Sequence, residues 1–163
     1  AQFNQTWTYA IKGVEPDQLF QPSTRNLKTI RMFYGTTFEH LSSGFALPAA
    51  LNNIRNGRPF DQFQNMDMQK YLTIDKAGRA KCFESNACLA PLAVEFDSTI
   101  RNASHHGGFR IRHGTTDIIE YKTRDGGHWK TIRYADYLIK CNRIFIGMMR
   151  LLLLHILIVG SFE

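Results

Sequence analysis

Hydrophobic positions recur at helical spacing in two long stretches of the chain and switch to strict alternation in one region between them. Leu27, Ile30, Tyr34, Phe38 and Leu41 fall three or four residues apart, which predicts a helix from about residue 25 to 41 with Ser23 or Thr24 as its cap. Gly35, Gly44 and Pro48 weaken that pattern, so the helix is expected to break and a shorter one to continue to Ile54. Residues 1 to 22 mix Trp7, Tyr9, Ile11, Leu19 and Phe20 with Gly13, Pro16 and Pro22, and read as an extended lead-in. Asn56-Gly57-Arg58-Pro59 marks a break. Phe60 to Gly78 shows no clean period and reads as a loop holding a short helical piece.

In the second half, Leu89, Leu92, Phe96, Ile100 and Ala103 follow 3,4,4,3 spacing. They predict an inward face on a helix from about Phe83, which Pro91 either kinks or restarts. Gly107-Gly108 supplies the stop, because glycine closes a helix end in the left-handed conformation at little steric cost. Beyond it, Phe109 and Ile111 alternate with Arg110 and Arg112, Ile119 and Tyr121 alternate with Glu120 and Lys122, and Trp129 to Ile132 adds a third apolar piece. Asp125-Gly126-Gly127 is a hairpin signal between the last two. From Tyr134 to Val159 the helical period returns, with Leu138, Cys141, Phe145, Met148, Leu152, Ile156 and Val159 along one side. The fold class is therefore mainly α: a helical bundle (23–106), a small β-hairpin of two or three strands (109–132) and a C-terminal helix (134–159).

Length adds that one domain is the default, since 163 residues with 44% hydrophobic content can bury a sizeable core. Lys and Arg number 20 against 14 Asp and Glu, and a net charge of +6 favours an anionic partner. Cys82, Cys88 and Cys141 make an odd number without a CxxC pair, which fits a reducing, cytoplasmic setting better than a disulfide framework or a zinc knuckle. Ala1 to Tyr9 lacks the basic and apolar regions of a signal peptide. Ile144 to Val159 is interrupted by Arg150 and His155 and falls short of the ~20 apolar residues of a bilayer span, so it reads as a buried or dimer-forming helix, with no membrane role expected.

The candidate chemistry sits where the central helical pattern ends, in Phe-Asp-Ser-Thr-Ile-Arg-Asn-Ala-Ser-His-His-Gly-Gly from Phe96 to Gly108. On a helix, Arg101 and His105 lie one turn apart, as do Asn102 and His106. Histidine titrates near neutral pH and serves in either proton-transfer role, and a guanidinium contacts two phosphate oxygens together. The plain structural alternative is a helix end whose last carbonyls are stabilised by nearby cations. His105 and Ser104 are accessory candidates. No common metal-ligand spacing or glycine-rich phosphate loop is present, and no cofactor is expected.

Arg101-Asn102, three further residues and His106 resemble the arginine-to-histidine motif of the HEPN superfamily, and the resemblance extends from about Glu84 to Val159. HEPN domains are small helical bundles, and many are metal-independent ribonucleases of toxins, defence systems and RNA processing. The resemblance implies His106 as the acid/base group, Arg101 as the phosphate binder and Asn102 as an orienting partner. It also implies a homodimer that brings two motifs together, an RNA substrate cut to a 2′,3′-cyclic phosphate, and an antitoxin or nucleotidyltransferase as protein partner. Arg110, Arg112, Lys122, Arg124 and Lys130 on the hairpin are candidates to guide the RNA backbone by charge. Trp129, Phe109 and Tyr121 are expected first to pack the hairpin onto the bundle, with stacking on unpaired bases as the second reading. The alternatives in function are a non-catalytic HEPN module that binds RNA, a nucleotide or a protein, and a structural helical domain of a larger protein.

Overall fold

The computed structural model describes residues 27–114, 117–122 and 127–161. The expected lead-in, the cap at Ser23 or Thr24, Arg124 and the Asp125-Gly126 apex lie outside the described residues. The fold is mainly helical with one small antiparallel sheet. The elements run α1 (Leu27–Gly44), α2 (Ala46–Arg55), α3 (Met68–Thr73), two 3₁₀ helices (Lys76–Cys82 and Ala90–Leu92), α4 (Ser98–His105), β1 (Phe109–Ile111), β2 (Ile118–Lys122), β3 (Trp129–Arg133) and α5 (Tyr134–Gly160). The described residues divide into two compact units, one of 27–35 with 99–143 and the other of 36–98 with 144–161.

The first unit gathers its core around Tyr137, which is fully buried. Its ring lies 5.0 Å from that of Phe109 and 6.1 Å from that of Tyr34, and Phe109 stacks on Tyr121 at 5.6 Å. Ile30, Ile100, Ala103, Ile119, Leu138 and Cys141 fill the remaining volume. The sheet order is β1-β2-β3, with Phe109 opposite Tyr121 and Lys122 opposite Trp129. Because side chains alternate across a strand, Phe109, Ile119 and Tyr121 share the buried face while Arg110, Glu120, Lys122 and Trp129 share the outer one. The expectation that all three aromatics pack inward therefore holds for Phe109 and Tyr121 only. Trp129 is one register position out of phase with the core face, and it is 40% exposed.

The second unit is built on stacked aromatics. Phe96 lies flat on Phe38 at 3.9 Å, and Phe45 meets Phe96 and Phe83 edge-on at 4.8 and 4.9 Å. The loop region begins with a tight turn in which the Phe63 amide donates to the Met66 carbonyl, and Asp67 caps α3 by accepting from the Lys70 amide at 2.7 Å. Phe63 then stacks on Tyr71 at 4.7 Å. The two buried asparagines are paired: Asn52 donates to the Cys82 carbonyl and accepts from Asn86, and Asn53 donates to the Phe60 carbonyl. α1 breaks at Gly44 and α2 continues to Arg55, as the glycine and proline positions predict, whereas Gly35 is absorbed within α1.

Two expectations need correction. The helix from Phe83 does not form: Pro91 sits in a single 3₁₀ turn and Glu95 adopts φ +62°, a left-handed conformation that stops helix propagation, so α4 starts only at Ser98. The apolar stripe of the C-terminal helix is likewise buried only at first. Leu138, Cys141 and Phe145 are inside, but Leu152, Ile156 and Val159 are 51 to 64% exposed, as are Leu153 and Leu157. α5 is long and apolar enough to cross a bilayer, and most of its apolar window lies uncovered in the single chain.

Burial pushes the Cys141 thiol well above its ordinary 9.0, and the Tyr137 phenol above its ordinary 10.0. The unfolded chain therefore releases these protons first and binds fewer of them, so stability is intact below about pH 9 and falls above it. We expect a loss of about 1.4 kcal/mol per pH unit from Cys141 alone above its ordinary value. Urea titrations at pH 8, 9 and 10 check this, with Cys141→Ala expected to flatten the slope between the last two.

Candidate nucleic-acid cleft at the end of α4

The eight residues of α4 divide cleanly between core and surface. Ile100, Ala103 and Ser104 are buried, Arg101 and Asn102 are half-buried, and His105 and His106 are exposed. The helix closes as a Schellman motif: Gly107 adopts φ +70°, the Gly108 amide donates to the Ala103 carbonyl at 3.0 Å, and the His106 amide donates to that of Asn102 at 3.0 Å. His106 is thereby held at the helix boundary with its imidazole in solvent. Its ring makes no hydrogen bond to any of the described residues.

Gly108 performs a second task. The Lys122 amide donates to its carbonyl at 3.0 Å, which ties the end of β2 to the helix stop. A Cβ at Gly108 would stand 3.4 Å from the Ala103 Cα and 3.5 Å from the Lys122 Cβ, in ordinary van der Waals contact with both. Strand register then sets Trp129 opposite Lys122. The result is an open cleft of about 460 Å³ lined by Asn102, Ala103, His106, Gly107, Gly108, Lys122 and Trp129.

Arg101 is not part of the cleft wall. It reaches the site through Asn102, whose side-chain oxygen accepts from Arg101 Nη1 at 2.7 Å. With its oxygen engaged, Asn102 has its amide N–H groups left to offer a ligand. Of the accessory candidates, Ser104 is buried and donates to the Ile100 carbonyl at 2.7 Å, with the Tyr137 hydroxyl at 3.5 Å, so it belongs to the core of its unit. The His105 imidazole lies against Gly35 of α1, and neither residue lines the cleft.

The basic candidates of the sheet separate in the same way. Arg110 donates to Glu120 at 2.7 Å, Arg112 lies 3.7 Å from the same carboxylate, and both border a second hollow of about 340 Å³ with His113. Arg110 also sits 4.0 Å from the Trp129 ring centroid, and Lys122 Nζ sits 5.3 Å from it. Lys130 stands opposite Tyr121 in register and projects to the other face of the sheet from Trp129. Among the described residues no three His, Cys, Asp or Glu side chains lie close enough to hold a metal ion. Sequence reading named Lys122 and Trp129 as candidates but did not bring them into one cleft with His106. The strand register does so by pairing the two residues.

A methyl group at Gly35 would stand 2.8 Å from His105 Nε2, so Gly35→Ala must displace that ring. The gain of roughly 1 kcal/mol in helix propensity offsets the lost contact. We expect the histidine NMR spectrum to show a shifted His105 and an unmoved His106, with global stability changed by less than about 1 kcal/mol.

Neither protein-family models, nor curated proteins, nor solved structures give a match to this chain.

Proposed function

We propose that the chain is a metal-independent endoribonuclease of HEPN type. The observation that carries this reading is the juxtaposition in one cleft of His106, Asn102 and Lys122, with Arg101 bonded to Asn102. In the reaction, a base removes the ribose 2′ proton, the 2′ oxygen bonds to phosphorus, and the bond from phosphorus to the 5′ oxygen breaks. An acid returns a proton to that oxygen, leaving a 2′,3′-cyclic phosphate and a 5′-hydroxyl. His106 is suited to one proton transfer, because its ring is solvent-facing and open to substrate. Arg101 and Lys122 supply positive charge for the phosphorane-like transition state, and Asn102 links the guanidinium to the substrate.

A single cleft holds one such histidine, and a second proton-transfer group is required. This reading draws it from a second copy of the chain and assigns to that copy the uncovered apolar end of α5, where Leu152, Leu153, Ile156, Leu157 and Val159 face solvent. A role as a cytoplasmic toxin or defence effector, held quiet by an antitoxin or a nucleotidyltransferase partner, follows by family analogy alone.

Purified protein incubated with single-stranded RNA and a chelator is expected to yield cyclic-phosphate ends. His106→Ala should lower the rate by roughly 10²- to 10⁴-fold without loss of RNA binding. Intact RNA with undiminished binding would instead identify a non-catalytic RNA-binding module. Sedimentation velocity is expected to show a dimer that Ile156→Glu converts to monomer, with loss of cleavage. A monomeric wild-type chain that cleaves RNA would remove the second copy from the mechanism.

A further inference from the structure

Trp129 is the residue that the fold leaves unexplained. An indole is costly to expose, and the alternation of β3 places it on the outer face while the core face is filled by Phe109, Ile119 and Tyr121. Its contacts there are cationic, with Arg110 at 4.0 Å and Lys122 at 5.3 Å from the ring centroid, and it forms part of the wall of the cleft that contains His106. The two cations differ. Arg110 is paired with Glu120 at 2.7 Å, whereas the Lys122 ammonium meets no carboxylate among the described residues.

We propose that this cleft is a subsite for one unpaired nucleotide, with its base stacked on Trp129 and its phosphate held by Lys122. The inference rests on the reading of the cleft as an RNA site and adds the form of the substrate. A part-exposed indole in a cleft, beside an ammonium that meets no carboxylate among the described residues, matches a ligand that is aromatic and anionic together. A bare phosphate or an acidic peptide would use the lysine and gain nothing from the indole. A duplex keeps both faces of each base stacked on its neighbours and offers none to Trp129, whereas a single strand or a loop does. The cleft volume of about 460 Å³ lies within the roughly 300–1,000 Å³ of ordinary small-ligand sites. Asn102, whose side-chain oxygen is engaged by Arg101, lines the same cleft as His106. A nucleotide seated on Trp129 would therefore bring its sugar-phosphate toward the imidazole.

The test uses the full chain carrying His106→Ala, so that binding is read without cleavage. The probes are a short single-stranded RNA, the same strand annealed to its complement, and a polyglutamate peptide. Single-stranded RNA is expected to bind with quenching of tryptophan fluorescence, and to bind more tightly than either competitor. Trp129→Leu keeps apolar cover on the sheet and removes the ring, and it should weaken single-strand binding roughly ten-fold or more. Trp129→Phe should retain most of it, which separates stacking from loss of fold. Lys122→Ala should reduce the slope of log affinity against log salt by about one. Equal affinity of Trp129→Leu and the parent, or equal binding of duplex and single strand, overturns the subsite. Failure of the catalytic reading looks different: the Trp129-dependent binding persists while the unmutated chain leaves RNA intact.

Discussion

One backbone hydrogen bond organises the candidate site: the Lys122 amide donating to the carbonyl of Gly108, just past the end of α4. A helix and a sheet are internally bonded objects, and neither dictates where the other stands. The double glycine lets the chain leave the helix through a left-handed residue and present its next carbonyl to a strand edge at close range. A Cβ at Gly108 would touch Ala103 and Lys122 at van der Waals distance, a measure of how closely the helix end and β2 approach. His106 owes its place to the same turn, since the helix boundary that frees its imidazole is also the boundary that docks β2.

Within this unit, apolar and polar duties are separated by strand parity. Tyr137 collects Phe109, Tyr34 and Ser104 on the buried side, where desolvation holds the phenol and the neighbouring Cys141 thiol neutral. The outer side carries charge and one large aromatic. Glu120 engages Arg110 and Arg112 together, and among the described residues Lys122 is the cation that lines the cleft. Electrostatics of this kind is worth little to stability at such exposure. Glu120 is engaged with the two arginines, and among the described residues no carboxylate pairs with Lys122.

The second unit shows how irregular backbone is held when regular periodicity fails. From Arg55 to Glu95 there are only short helical pieces, yet the buried amides are satisfied through Asn52, Asn53 and Asn86, and Arg79 donates to the carbonyls of Ser42 and Leu72. An unpaired buried polar group costs about as much as a lost hydrogen bond, so these side chains do for the loops what the i to i−4 ladder does for a helix. The last ten residues of α5 stand in contrast, apolar and largely open to solvent, a surface whose composition asks for cover by lipid or protein.

The sequence by itself determined the two long helices, the break at Gly44, the helix stop at Gly107-Gly108 and the change to alternating strands, because each is a local matter of periodicity or glycine geometry. It also placed Asn102 and His106 on one side of the helix end, since residues one turn apart on a helix share a face wherever the helix lies. The continuous helix expected from Phe83 was lost to Pro91 and to the left-handed Glu95, and an apolar spacing of 3,4,4,3 does not register a residue outside the helical basin. Tertiary structure alone decided which side of the sheet Trp129 occupies, that Lys122 rather than Arg101 lines the cleft, that His105 rests on Gly35, and that Ser104 is buried. Those outcomes depend on pairing register and on contacts between residues far apart in the chain, and no periodicity along the chain encodes which distant partner a side chain will meet.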